Sequence, residues 1–345
     1  MEFKTFSQNK HFWSDVDTRL IELTALAVAL RPTTALLGRH HHGVSIATAQ
    51  RRIAHVGDLC TKEMSRSVTF CPPVIVLDGL WITKMMPTGR FKKDKKGRQR
   101  REKRGQKIPV LFASGIDPVT GEKQVLAWVQ GSQEDAGSWQ KLLDILQKRG
   151  VSYEHGLRLF IHDGSAGLEL AFEIVDFPSV KRQRCVFHKL RNVLRAIVGR
   201  PKMSREEKKG LVKTILQEAA AIYQAADAPE ARQRLAAFAE KWRQAEADAV
   251  ATLERDFEAT LACYAVQEEA LQETGQIWPM KYLRTTSALE RQNETCRAKF
   301  RQARAFWSTD GLDAAVYLRT HAYPALKDGF SDTQLARLAI SIWQT

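Results

Sequence analysis

The chain has 345 residues, enough for two or three domains around at least one sizeable core. Its 53 Lys and Arg against 39 Asp and Glu give a net charge of +14 and a pI near 9.6, which points to a polyanionic partner: nucleic acid first, an anionic membrane surface second. No apolar run reaches the roughly 18 residues of a membrane span, the start "MEFKTFSQNKHFW" lacks the apolar stretch of a signal peptide, and five scattered cysteines do not form a disulfide framework, so a cytoplasmic protein is expected.

Residues 1–70 are predicted to form a helical region. "DVDTRLIELTALAVALR" has apolar residues at helical spacing and is predicted to stop at Pro32. In "GRHHHGVSIATAQRRIAHVG", Gly43 and Ser45 suggest a turn and an N-cap, followed by a short helix bearing Thr48, Gln50, Arg51 and Arg52. That arrangement resembles the turn and recognition helix of a helix-turn-helix, whose exposed Gln50, Arg51 and Arg52 could reach base edges or phosphates. Any short amphipathic helix behind a glycine looks the same. His40, His41 and His42 read as a polar loop rather than a metal site.

From about residue 73 the pattern changes to strands. "VIVLDGLWI" is followed by the basic run "RFKKDKKGRQRREKRGQK", whose eleven Lys and Arg face only Asp94 and Glu102. Such a run repels itself and cannot be buried, so a long basic finger is expected, with Lys92, Lys93, Lys95, Lys96, Arg98, Arg100 and Arg101 as phosphate contacts. Then come the strands "IPVLFASGI" and "KQVLAWVQG" joined by the turn "DPVTGE", the helix "SQEDAGSWQKLLDILQKRG", the strand "LRLFIHDG", the helix "SAGLELAFEIV", the strand "KRQRCVFH" and the helix "KLRNVLRAIVG". Three antiparallel strands extended by parallel βα units is the ribonuclease H-like order, an α/β fold with a mixed five-stranded sheet. Residues 71–200 would hold its first part. Residues 201–282 are Ala-, Glu-, Lys- and Arg-rich with helical spacing, one break at "DAPE" and no strand signal, so an all-helical block is expected. A last helical region follows over residues 283–345.

Two apolar strands end alike, "VIVLDG" with Asp78 and "LFIHDG" with Asp163. A carboxylate at the edge of a buried strand is costly unless compensated. On adjacent strands the two would converge, and like charges so placed raise a pKa or bind a hard divalent cation, Mg²⁺ or Mn²⁺. Each "DG" could instead start a turn. A third carboxylate is offered by "RTTSALERQNETCRAKFRQ", where Glu290 and Glu294 lie one helical turn apart. Ser287 and Glu290 also fit a capping box, and spacing alone leaves the choice open.

"RCVFHKLRNV" places Cys185 three residues before His188. A zinc site needs about four ligands, and no second pair is apparent. The other readings are a thiol nucleophile with its base, or a packed Cys185 behind a His188 that faces a ligand.

Together "VIVLDGLW", "LFIHDGSAGL", "RCVFHKLRNV" and "LRTTSALERQNE", in this order over roughly residues 70–325, resemble the transposases of the Mutator superfamily, in particular its bacterial insertion-sequence branch. The resemblance implies a ribonuclease H-like core with an Asp-Asp-Glu triad, which maps onto Asp78, Asp163 and, through the "RTT-x-x-L-E-R" block, Glu290 rather than Glu294. It implies two Mg²⁺ or Mn²⁺ ions and a polynucleotidyl transferase that cleaves DNA at an element's terminal inverted repeats and joins 3′-ends to target DNA. It also implies that the helical block of 201–282 is an all-helical insertion between the last core strand and the Glu-bearing helix, that residues 283–345 complete the core, and that the protein acts as a homodimer or higher multimer on DNA in a bacterial, nucleoid-associated setting. The Cys185–His188 motif recurs in this superfamily, which implies that His188 faces DNA near the scissile phosphate with Cys185 packed behind it, Lys189 and Arg191 on the following helix as phosphate contacts, and Arg291 and Arg297 on the Glu-bearing helix as further DNA contacts. The segment before Asp78 is short for the family, and no paired CxxC is present. Rival readings are an inactive or domesticated DNA-binding relative, a ribonuclease H-like nuclease without strand transfer, and a helical scaffold on anionic membrane, which leaves the strand-end aspartates unexplained.

Overall fold

The computed structural model describes residues 16–40, 44–198 and 203–323. One mixed sheet contains β1 (Val74–Lys93), β2 (Gln99–Ile116), β3 (Lys123–Gln130), β4 (Leu159–His162) and β5 (Lys181–Arg184), in the order β3-β2-β1-β4-β5. The first three run antiparallel, and β4 and β5 add on in parallel. This is the ribonuclease H-like arrangement that the strand order predicted. Helices α4 (Ala136–Lys148), α5 (Ala166–Ile174) and α6 (Val186–Ala196) make the crossovers and the exit from the sheet.

The strand runs are apolar throughout because both faces are covered. Along β1, Ile75 and Leu77 join a cluster with Trp139, Leu142, Leu143 and Leu146 of α4 and Phe172 of α5. Val74 and Val76 point the other way, with Leu159 and Ile161 of β4, into a cluster shared with the helical insertion. Each fully buried Leu, Ile or Val contributes about 1.5–3 kcal/mol. The insertion comprises α7 (Arg205–Ile222), α8 (Ala228–Trp242), α9 (Ala247–Glu254) and α10 (Ala262–Thr274), with no strand among its described residues. Ser204 and Glu207 form a full capping box on α7, and Asp227 caps α8 with Pro229 in its first turn. The predicted single break at "DAPE" lies between α7 and α8, but the block breaks twice more, after Trp242 and after Glu254.

A third cluster joins the outer end of the sheet (Leu80, Ile82, Val110, Phe112, Trp128) to the N-terminal helices and to α11 (Glu290–Ala303) and α12 (Thr309–Tyr317). The N-terminal helices are α1 (residues 16–25), α2 (Leu30–His40) and α3 (Ile46–Ser65). The predicted stop at Pro32 is displaced. The break falls at residues 26–29, where Ala27 takes a left-handed φ of 63°, and Pro32 sits in the first turn of α2, where its missing N–H costs nothing. Arg319 donates to the carbonyl of Ala25 and Lys299 to that of Val28 (3.1 Å), satisfying groups left open where α1 ends. Ser45 caps α3 as predicted, accepting from Thr48 N at 3.1 Å. That helix is long rather than short. Its Gly57 lets Asp310 of α12 approach to within 3.2 Å of a would-be Cβ. Residues 41–43, which include His41, His42 and the Gly43 expected in a turn, lie outside the described residues, as does the side chain of His40.

The basic finger projects from the sheet as expected. It is the distal half of β1 and β2, paired out to Lys93↔Gln99 with one register shift between Pro87 and Phe91. A hydrogen-bonded ladder uses only backbone groups, so a two-stranded ribbon can project into solvent with its charges fully hydrated. The fifth strand is shorter than expected: it ends at Arg184, and Cys185, Val186, Phe187 and His188 form the cap and first turn of α6.

Candidate active site

The two aspartates converge for a reason visible in the register. β1 pairs with β4 through Val74↔Leu159, Ile75↔Phe160 and Val76↔Ile161. Side chains alternate along a strand, so Asp78 continues the row of Val74 and Val76, and Asp163, just past β4, continues that of Leu159 and Ile161. Both carboxylates therefore emerge on the face that carries α11 and the insertion. His162 points to the opposite face, buried beside Phe172 (ring centroids 5.7 Å), and burial pushes its pKa down to about 4, so it packs as a neutral ring.

Asp78 is held at both oxygens. Oδ1 accepts from Gly79 N at 2.9 Å, and Oδ2 accepts from Asn293 Nδ2 at 2.7 Å. Burial, then the charge of Asp163, lifts its pKa from 3.8 to about 6 against the pull of the Gly79 N–H and of Arg297. Asp163 is more exposed and accepts from Ser165 N at 2.9 Å, at the head of α5. The loop after it is tightly built. Gly164 has φ +78°, and a Cβ there would fall inside the guanidinium of Arg184, which donates to Gly164 O at 2.6 Å.

A further carboxylate that the sequence does not mark, Glu134, approaches β1 from the Gly79 side, near enough for its charge to act on Asp78. Its Oε1 lies 2.6 Å from where a Gly79 Cβ would be, and burial and the charge of Asp163 raise its pKa. In "GSQEDAGSW" it looks like part of the turn that leads to Asp135, the N-cap of α4. Only the glycine at 79, with no side chain to intervene, hints at an approach from outside the strand. Asn293, buried at 4% exposure, was also missed. It falls between the two candidate glutamates and carries no pattern of its own.

Glu290 opens α11, one helical turn before Asn293, and its side chain lies outside the described residues. A 3₁₀ turn, Thr286–Leu289, precedes it, so Glu290 is the first residue of the helix and not the third that a capping box from Ser287 requires. Glu294 is exposed and engaged with Arg297 (2.8 Å) and Arg301 (2.6 Å), away from Asp78. Asp78 and Asp163 bring two hard oxygen donors together, with burial and mutual repulsion to be relieved, which suits Mg²⁺ or Mn²⁺. Among the described residues no group of three His, Cys, Asp or Glu gathers closely enough to hold an ion.

Cys185 is a packed residue. It is 1% exposed, its N–H donates to His162 O (2.7 Å), and its Sγ accepts from Thr286 N at 3.3 Å. The next residue's N–H donates to Arg284 O at 2.9 Å, so the start of α6 is stitched to the "RTT" segment that leads into α11. His188 is half-buried on α6, with its ring edge-on to Phe187. Lys189 is buried and donates to Arg255 O, whereas Arg191 is exposed.

The remaining candidates fall in three places. Lys92, Lys93, Lys95, Lys96, Arg98, Arg100 and Arg101 are exposed on the ribbon, with Arg100 paired to Asp94 at 2.8 Å. Arg297 lies near Asp78 on α11, and the Arg291 side chain is outside the described residues. Gln50 and Arg51 are exposed on α3, but Arg52, grouped with them in the sequence, turns inward to pair with Asp17 of α1.

The profile of the family "Transposase, Mutator family" matches residues 96–322, about two thirds of the chain. Among curated proteins the chain is similar to the transposase for insertion sequence element ISRM5 of Rhizobium meliloti (strain 1021), 30% identical over 215 residues, 61% of this chain and 48% of that one. It is similar also to the transposase for insertion sequence element IST2 of Acidithiobacillus ferrooxidans, 32% identical over 191 residues, 55% and 57% of the two chains. A third relative, the transposase for insertion sequence element IS6120 of Mycolicibacterium smegmatis, is 31% identical over 194 residues, 56% and 53%. The chain spans about half the length of these curated relatives. Among solved structures the Drosophila P element transposase strand transfer complex aligns with a TM-score of 0.49 at 11% identity, over 90% of this chain and 92% of that one. No described helix is long and apolar enough to cross a membrane. The chain belongs to the Mutator family of transposases.

Proposed function

We propose that this protein is a DNA transposase that binds the terminal inverted repeats of its element, cleaves there, and joins the 3′-ends to target DNA. The observation that carries the reading is the pairing of Asp78 and Asp163 on one face of two parallel strands, with the helix opened by Glu290 docked on Asp78 through Asn293. Asp78, Asp163 and Glu290 would hold two Mg²⁺ or Mn²⁺ ions. When bound, such ions activate a water or a 3′-hydroxyl and stabilise the leaving oxygen of an in-line displacement. The Gly79 N–H and the Asn293 amide keep the Asp78 carboxylate in one orientation. No covalent intermediate with the protein is required.

His188, Arg191, Arg291 and Arg297 contact the DNA near the reacting phosphate. Lys92, Lys93, Lys95, Lys96, Arg98, Arg100 and Arg101 contact it along the ribbon, which spans about 30 Å from Lys84 to Asp94 and has a form that the major groove admits. Gln50 and Arg51 are left to read the repeat. A homodimer or higher multimer brings two ends together. The test uses purified protein, Mg²⁺ and the DNA that flanks its reading frame. Cleavage at the repeats and joined products are expected, and Asp78→Asn, Asp163→Asn or Glu290→Gln should abolish both while leaving DNA binding in place. A Glu290→Gln protein that still cuts sinks the triad, and cleavage that never yields joined product makes the protein a nuclease instead.

A further inference from the structure

Beside Asp163, between the start of α6 and the end of α9, lies a cavity of about 400 Å³. Arg184, Lys189, Arg195, Thr252, Arg255 and Asp256 supply most of its polar lining. Its size is near the lower end of small-molecule sites, about 300–1,000 Å³, and far too small for a duplex.

The charges in it are arranged rather than scattered. Asp256 sits in a left-handed turn, φ +51°, and accepts from Arg184, whose other arm is clamped on Gly164 O. That pair satisfies itself and forms a rigid back wall. Lys189 reaches the cavity floor from α6. One of its three N–H groups goes to the carbonyl of Arg255, which leaves two free among the described residues. Arg195 and Arg255 are exposed at the rim and make no ion pair among the described residues. Three cations thus face one small space whose two carboxylates are Asp256, bonded to Arg184, and Asp163 at its edge. Burial, then the charge of Arg184, pushes the Lys189 pKa down to about 8 against the pull of Asp256, so the group still carries its charge at neutral pH.

We propose that this cavity holds one nucleotide of an unpaired DNA strand, next to the reacting phosphodiester, with its phosphate on Lys189, Arg195 and Arg255. The assignment rests on the transposase reading and adds to it that the strands must separate beside the cleavage point. Opening a duplex costs a few kcal/mol per unstacked step, and a dedicated site for the freed nucleotide offsets part of that.

The test is fluorescence anisotropy with the full chain in EDTA, comparing a forked DNA that has five unpaired nucleotides on each strand with a blunt duplex of the same paired sequence. Wild-type protein should bind the fork about tenfold more tightly, the effect of one charge-assisted phosphate contact. The rim double variant Arg195→Ala/Arg255→Ala should bring that ratio close to one. Independently of any variant, a fork whose unpaired phosphates are replaced by neutral methylphosphonates should bind wild-type protein like the blunt duplex. A wild-type ratio near one, or a ratio the variant leaves unchanged, overturns the proposal. Displacement of the fork by thymidine 5′-monophosphate at micromolar concentration also overturns it, because the cavity would then be a free-nucleotide site. Cleavage of flanking DNA in Mg²⁺ reports separately on the transposase reading, so a fork preference without cleavage, or the reverse, shows which of the two fails.

Discussion

Asp78 makes the fold and the chemistry compete, and the competition can be measured. In the metal-free protein its pKa is lifted from 3.8 to about 6 by burial and by Asp163. The native state therefore binds this proton more tightly than the unfolded chain, and ionising the group costs stability. At 1.36 kcal/mol per unit, the penalty above pH 7 is about 3 kcal/mol. It shrinks as pH falls through 6 and vanishes below about 4, where both states are protonated. Asp78→Asn removes the charge and keeps the shape. Oδ1 still accepts from Gly79 N, and Asn293 need only turn its amide over to accept rather than donate. Urea unfolding in EDTA at pH 7.5 should find the variant more stable than wild type by about 2–3 kcal/mol, with the gap closing toward pH 4. Adding Mg²⁺ at pH 7.5 should stabilise wild type and not the variant. A variant no more stable than wild type at pH 7.5, or a gap independent of pH, would show that Asp78 does not sit in a desolvated, charge-repelling site.

Glu134→Gln should also stabilise the metal-free protein at neutral pH, by less than Asp78→Asn, since Glu134 is less buried and is a minor contributor to the Asp78 shift; equal or larger stabilisation would reverse their assigned depths. Gly164→Ala should cost about 3–4 kcal/mol in urea unfolding, from left-handed strain of roughly 1–2 kcal/mol and the eviction of Arg184 from its charged hydrogen bonds; a change under about 0.5 kcal/mol would mean that the loop relaxes freely. Neutralising Lys92, Lys93, Lys95 and Lys96 with Gln should weaken binding to DNA of any sequence and lower the slope of log affinity against log salt by about 0.9 per lost contact; an unchanged slope removes the ribbon from the DNA interface.

Much of the centre was legible because strands buried on both faces write themselves as apolar runs, and an Asp that ends such a run stands out. Asp78 and Asp163 could be placed on one face from alternation and strand order alone. Other members left no trace in the chain. Glu134 is one acidic residue in a polar turn, and Asn293 one amide in a polar helix; each matters only through what tertiary packing lays against it. Arg52 was misjudged because a sequence cannot say whether an arginine beside two exposed residues faces solvent or Asp17. The finger was legible because its charge opposes burial, but not its paired backbone, since a two-stranded ladder needs no apolar pattern. "RCVFH" imitates a strand by its apolar content, and the tie from Thr286 to Cys185 that makes it a helix start comes from 101 residues downstream.

That tie also sets an order of events during synthesis. Asp78 and Asp163 can be paired once the strands to residue 163 have left the ribosome, but α11, which brings Asn293 and opens with Glu290, is attached to Cys185 and Asp78 only after the whole helical block has been made. Closing so long a loop is slow, and its contacts favour it only when nearly complete. A nascent or truncated chain thus carries its two strand carboxylates without the helix that completes their surroundings. On the proposed reading, the centre gains the helix opened by Glu290 only after the strands and the helical block before it have been made.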